Sequence, residues 1–167
     1  MQAGSPQSRQ ILFGARVVPV GKPRVLQNSQ ADMKPSKKNK VPQTPLEVQR
    51  YAIDHAVSYS DLRFAQASDG TYHDLLNFMV TAFDEGGTLV ASQIARTKAD
   101  FKLDAMKDVV AGGLRMHQEI EVPVKSTTMR LGVEDLSNGH IGTIEIPLPV
   151  PPPPEAQAGA QIGRAHV

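Results

Sequence analysis

Asn138-Gly139 stands between two runs of alternating apolar residues, and this arrangement constrains the fold more than any other stretch of the chain. In "RLGVEDLSNGHIGTIEIPL" (Arg130–Leu148), Leu131 and Val133 precede the turn while Ile144, Ile146 and Leu148 follow it. An Asn-Gly turn supplies the positive φ angles that send a chain back antiparallel to itself. A period of two then puts every second side chain on one face. The stretch predicts a β-hairpin with Met129, Leu131, Val133, Ile144 and Ile146 toward a core, and with Arg130, Glu134 and Glu145 in water.

The same signals recur along the chain. "ILFGARVVPV" (Ile11–Val20) is rich in β-branched residues, and "RYAIDHAVSYSDLRFAQAS" alternates through Tyr51 and Ile53 and again through Leu62 and Phe64. "TYHDLLNFMVTAF" (Thr71–Phe83) is too continuously apolar for a sheet edge and predicts a central strand. "DEGG" (Asp84–Gly87) closes a hairpin into "TLVASQIARTK", and "RMHQEIEVPV" (Arg115–Val124) reads as a further strand. "KLDAMKDVVAGG" breaks the pattern: Leu103, Met106 and Val110 share one helical face, and Gly112-Gly113 provide the stop. Seven or eight strands separated by turn signals predict an all-β fold, an antiparallel immunoglobulin-like β-sandwich with one short helix.

Around that domain, placed at 11–148, the composition shifts. Residues 1–10 are polar and predict a disordered N-terminal segment that packs against nothing. A long basic loop is expected at about 21–45, where four prolines and five lysines show no period. Its "KPSKKNK" (Lys34–Lys40) could contact nucleic acid or anionic lipid, but without interleaved aromatics it reads as a solvated loop. Residues 149–160 form a proline/alanine-rich spacer of polyproline II type, with an SH3-like partner as the alternative role. "QIGRAHV" (Gln161–Val167) reads as translated sequencing adapter, which leaves Arg164 and His166 without an evolved role and the true C-terminus missing.

A chain of 167 residues is long enough to bury about two thirds of its unfolded surface in one domain. It contains no cysteine, so neither a disulfide framework nor a cysteine metal site is available. A net charge of +1 argues against a nucleic-acid surface, which is usually strongly basic. No apolar window is long enough to span a membrane, and "MQAGSPQSRQ" lacks the order of a signal peptide. Met1 is expected to be an internal methionine of a longer protein if the chain is a fragment.

Chemistry-bearing residues are scattered. His55, His73, His117 and His140 fall on different expected elements with no metal-ligand spacing, and no serine lies in a G-x-S-x-G elbow. "DHAVS" (Asp54–Ser58) brings an acid, a histidine and a serine close in sequence, but a strand sends His55 to the face opposite Asp54 and Ser58. Asp84, Glu85 and Asp135 lie at turns that could offer carboxylates to calcium; six or more oxygens are needed, and turn chemistry is the simpler reading. No catalytic, cofactor-binding or metal-binding residue is therefore assigned, no cofactor is expected, and the chain is read as not an enzyme.

Three stretches, "YAIDHAVSYSDLRFAQASDGTYHDLLNFMVTAFDEGGTLV", "GGLRMHQEIEVP" and "RLGVEDLSNGHIGTIEIPL", appear in this order. In order and spacing the segment from Ile11 to Leu148 resembles the region that follows the von Willebrand factor A domain in the VWFA-related family of acidobacterial proteins. The A domain itself, with its metal-dependent adhesion motif, is absent from these residues. The resemblance implies a periplasmic or extracellular location and a neighbouring A domain in complete relatives. It implies no catalytic residues. The expected function is a non-catalytic structural or protein-interaction module of a larger exported bacterial protein. The alternative is a carbohydrate- or peptide-binding β-sandwich: exposed aromatics on a sheet face would favour sugar, and an unprotected edge strand would favour protein docking.

Overall fold

A computed structural model describes residues 7–26 and 45–153. They form two antiparallel sheets. The first contains β1 (Phe13–Leu26), β2 (Leu46–Val57) and β6 (Leu114–Pro123) in the order β1-β2-β6. The second contains β3 (Ala65–Gln66), β4 (Tyr72–Phe83), β5 (Leu89–Phe101), β7 (Thr128–Asp135) and β8 (His140–Pro147). β5 follows β4 along one edge, and β7 and then β8 lie on the other, with β3 extending the β7 side. Strands adjacent in sequence thus switch sheets between β2 and β4 and twice more around β6. This is the Greek-key connectivity of the immunoglobulin-like sandwich expected from the sequence.

The interior follows from alternation. Ile53 and Val57 of β2 face Leu76, Phe78 and Val80 of β4 and Leu131 and Val133 of β7, all buried. β4 is central, as its unbroken apolar run requires, because both of its faces are largely covered. Ile144 and Ile146 pack on the same core but stay half-buried, since β8 lies at the sheet edge.

Several expectations need correction. The first strand does not stop at Val20: a bulge at Gly21, Lys22 and Pro23 is followed by renewed pairing from Arg24 opposite Val48. Proline is tolerated because β1 is an edge strand with a side that needs no donor. Residues 21–26 of the expected basic loop are therefore part of β1, and residues 27–44, with Lys34–Lys40, lie outside the described residues. The N-terminal segment is not unpacked from Ser8 onward. Arg9 bridges Gly142, the Gln10 N–H donates to the Ile141 carbonyl at 3.1 Å, and Ser8 bonds to Thr143 and Ile141. This short pairing covers the outer edge of β8. A Cβ on Gly142 would lie 2.1 Å from the Ile11 carbonyl oxygen, so the approach depends on glycine.

At the other end, Leu148 and Val150 pack on the core, against the cluster that contains Tyr51. The spacer is therefore docked through its first residues; 154–160 and 161–167 lie outside the described residues. The helix α1 (Leu103–Gly112) forms as expected but turns a different face inward. Met106 and Val109 are buried, whereas Leu103 and Val110 are exposed. A one-residue rotation of the apolar stripe suffices, because the short helix caps an end of the sandwich and buries only two side chains. Between Val57 and β3 a 3₁₀ turn (Tyr59–Asp61) replaces continuous strand, and Leu62 drops into the core.

Arg130 is the largest departure from simple alternation. It points away from the core, as expected, yet is 2% exposed and pairs with Glu145. Thr81, Asn77 and Thr143 on the same outer face are buried as well. The rule that the non-core face is wet fails along the middle of this sheet, and a polar layer replaces solvent there. Glu134 is half-buried and accepts a bond from Asn77 at 2.8 Å, while Glu145 remains partly in water.

Candidate functional site

Strand register brings acids and histidines together that are far apart in sequence. On the outer face of the three-stranded sheet, Arg16, Asp54 and His117 form one cross-strand row, and Gly14, Ala56 and Arg115 form the next. Directly opposed side chains stand close enough to interact. His117 Nδ1 lies 2.7 Å from Asp54 Oδ1. That bond, with the charges of His117 and Arg16, holds the Asp54 carboxyl below the usual carboxylate range. Asp54 is thus an anion that fixes the ring, leaving His117 Nε2 for a second partner. Because Gly14 and Ala56 carry little or no side chain, the surface sinks between the arginines into a depression of about 570 Å³. A neighbouring depression of about 390 Å³ adds Leu12, Ser58 and Gly112-Gly113.

Ser58 lies just beyond the end of β2, four residues on from Asp54 and about 13 Å away at the usual rise per residue. Its hydroxyl bonds to Ser60, and no triad forms.

A second constellation lies on the outer face of the five-stranded sheet, and sequence reasoning missed it. Thr71 Oγ1 is 2.6 Å from His73 Nε2, and His73 Nδ1 is 2.5 Å from Asp100 Oδ1. Hydroxyl, imidazole and carboxylate in this order are the links of a nucleophile, base and orienting acid. Thr71 Oγ1, however, also donates to Asp69 Oδ1 at 2.6 Å, so its proton is engaged away from the histidine. The hydroxyl is therefore not held as a nucleophile activated by His73. Lys98 further pairs with Asp100 at 2.9 Å. The signal was available as Thr-x-His on one strand face, but Asp100 joins only through the β4–β5 register, which sequence spacing does not reveal.

The remaining candidates are structural. His55 is 1% exposed, lies between the rings of Phe13 and Phe78, and shares a 3.1 Å contact with Gln118. Burial pushes its pKa down to about 4. His140 borders the Asn138-Gly139 turn and is half-buried. Asp84 closes its hairpin by accepting the Thr88 N–H at 2.9 Å, and Glu85 is exposed beside it. Asp135 is fully buried. It accepts from the N–H groups of Arg63 (2.9 Å) and Ser137 (2.8 Å), the Ser137 hydroxyl (2.6 Å) and the Asn138 amide (3.0 Å). Nearby Asp74 is buried too, and desolvation with the Asp135 charge raises its pKa to about 6. Among the described residues, no three His, Asp or Glu side chains gather as a metal-ligand group, and no helix is long and apolar enough to cross a membrane.

No protein-family model, curated protein or solved structure matches the chain.

Proposed function

We propose that this domain is a non-catalytic protein-interaction module of a larger exported bacterial protein, with a von Willebrand A domain as its neighbour in the complete polypeptide. A periplasmic or extracellular location belongs to the same reading, which rests for context on the sequence resemblance. The observation that carries the interaction role is the edge strand β5. It runs thirteen residues, Leu89–Phe101, without proline or glycine, and presents Leu89 and Ile94 at 51% and 63% exposure. Unpaired backbone groups along such an edge are a template for another strand, and natural edges are usually blunted. Two of the other edges carry such protection, since β1 contains Pro19 and Pro23 and β8 is covered by Ser8–Gln10, and the β6 edge is shorter, ten residues ending at Pro123.

The alternative sugar-binding reading would need aromatic rings lying open on a sheet face. Tyr59 instead stacks on Phe64 and Phe64 meets Phe101 at a tilt, with centroids 5.9 Å apart in each pair, and all three pack against the core.

Hydrogen exchange tests the proposal. Amides of Leu89–Phe101 are compared in this chain alone and after addition of the region encoded immediately upstream in the complete locus. Slower exchange confined to β5 is expected, and unchanged exchange there overturns the docking role. Ester hydrolysis that His73→Ala or His117→Ala abolishes would contradict the non-catalytic half.

A further inference from the structure

We infer that the depression between Arg16 and Arg115 is a docking site for an acidic peptide segment. The argument begins with charge. On the outer face of the three-stranded sheet, Arg24 and Arg50 are matched by Glu119 and Glu121, with Arg24 on Glu121 and Arg50 within 3.4 and 3.7 Å of the two acids. That half is neutral. In the other half Asp54 bonds to His117 and feels the charge of Arg16 on the neighbouring strand, but neither Arg16 nor Arg115 forms an ion pair or a hydrogen bond among the described residues. Two exposed guanidinium groups therefore flank the depression with their donors unused.

Shape narrows the ligand. The arginines stand on β1 and β6 with β2 between them and one row apart, so their backbones are about 12 Å apart across two strand spacings and two residues. Carboxylates on alternate residues of an extended peptide are about 7 Å apart, within reach of two flexible arginine side chains. The Gly14 and Ala56 floor lets a backbone lie close, and Leu12, 61% exposed, provides an apolar shoulder. His117 Nε2, its ring oriented by Asp54, offers a further donor when the imidazole is protonated. A compact anion such as phosphate would engage one arginine and leave the floor uncovered.

The inference goes beyond the β5 reading and does not depend on it, since the two surfaces lie on different sheets. Titrating hexaglutamate into the isotopically labelled chain, followed by NMR, tests it. Shifts are expected at the amides of Gly14, Ala56 and Gly113, weakening as salt is raised from about 50 to 300 mM. Arg16→Ala with Arg115→Ala should weaken binding about tenfold, as two exposed ion pairs would, while Arg50→Ala leaves it unchanged. Both arginines are exposed, so a retained spectrum verifies the fold of the variant. Shifts spread over the whole surface, binding that survives the double substitution, or equal binding of inorganic phosphate would each overturn the proposal.

Discussion

Arg130 and Glu145 face each other across β7 and β8, Nη2 to Oε1 at 2.5 Å, on the side of the sheet that alternation assigns to solvent. The guanidinium is nearly sealed, whereas the carboxylate keeps about a third of its surface in water. A buried cation depends on every acceptor it has. Glu145→Gln should therefore cost about 1–3 kcal/mol, while Glu134→Gln, which keeps an acceptor for Asn77, should cost under about 1 kcal/mol. Urea denaturation of the two variants compares them; equal losses would show that Glu145 contributes no more than a surface acid.

Asp135 is a structural carboxylate, and its removal should be among the most damaging single changes. Asp135→Ala leaves the Arg63 and Ser137 N–H groups without their acceptor and should cost about 2–5 kcal/mol. Asp84→Ala removes one exposed turn acceptor and should cost about 1 kcal/mol or less. Chemical denaturation midpoints decide between these values.

His55 and Asp74 oppose one another as the pH changes. His55 titrates in the native state at about 4, below the ordinary 6.5, so the unfolded chain binds its proton first and stability falls as pH drops between those values. Asp74 titrates at about 6, above the ordinary 3.8, so the native state binds its proton first and stability rises as pH drops through that window. Each effect amounts to at most about 3 kcal/mol and the two largely cancel. Asp74→Asn should make the protein more acid-sensitive than the parent between pH 6 and 4.5, and His55→Gln should make it less so. Melting temperatures of all three proteins at both pH values measure this; Asp54, Asp69 and Asp100 contribute the same background to each. Parallel slopes would refute it.

Gly142→Ala should loosen the N-terminal pairing, because its Cβ would occupy the place of the Ile11 carbonyl. A loss of about 1–3 kcal/mol is expected, together with faster proteolysis before Leu12. Gly112→Ala meets nothing within 4 Å and should change stability by less than about 0.5 kcal/mol. Equal effects would mean that the Ile11 segment shifts without cost.

Alternation made the sandwich legible: Leu131, Val133, Phe78 and Ile53 lie where a period of two places them. It also separated His55 from Asp54. It could not show which neighbours cross from other strands. The pairs His117–Asp54 and His73–Asp100 span 63 and 27 residues and depend on register, which is set by how whole strands pack. The burial of Arg130 was hidden for a related reason, since alternation tells inside from outside only where the outer face meets water. In α1 the sequence pointed to the face of Leu103, Met106 and Val110, and contact with the sandwich end selects Met106 with Val109 instead.

The pairing of Ser8–Gln10 with Ile141–Thr143 also bears on how the domain answers to mechanical load. The two segments run antiparallel, so the direction leading back from Ser8 and the direction leading on from Thr143 are the same. Tension applied through both would strain this seam from its open end, one hydrogen bond after another, and would not shear all of them together. A seam loaded that way parts at low force. The first element to yield under pulling is then the segment across β8, and its release would expose the outer edge of β8 while the two sheets remain joined.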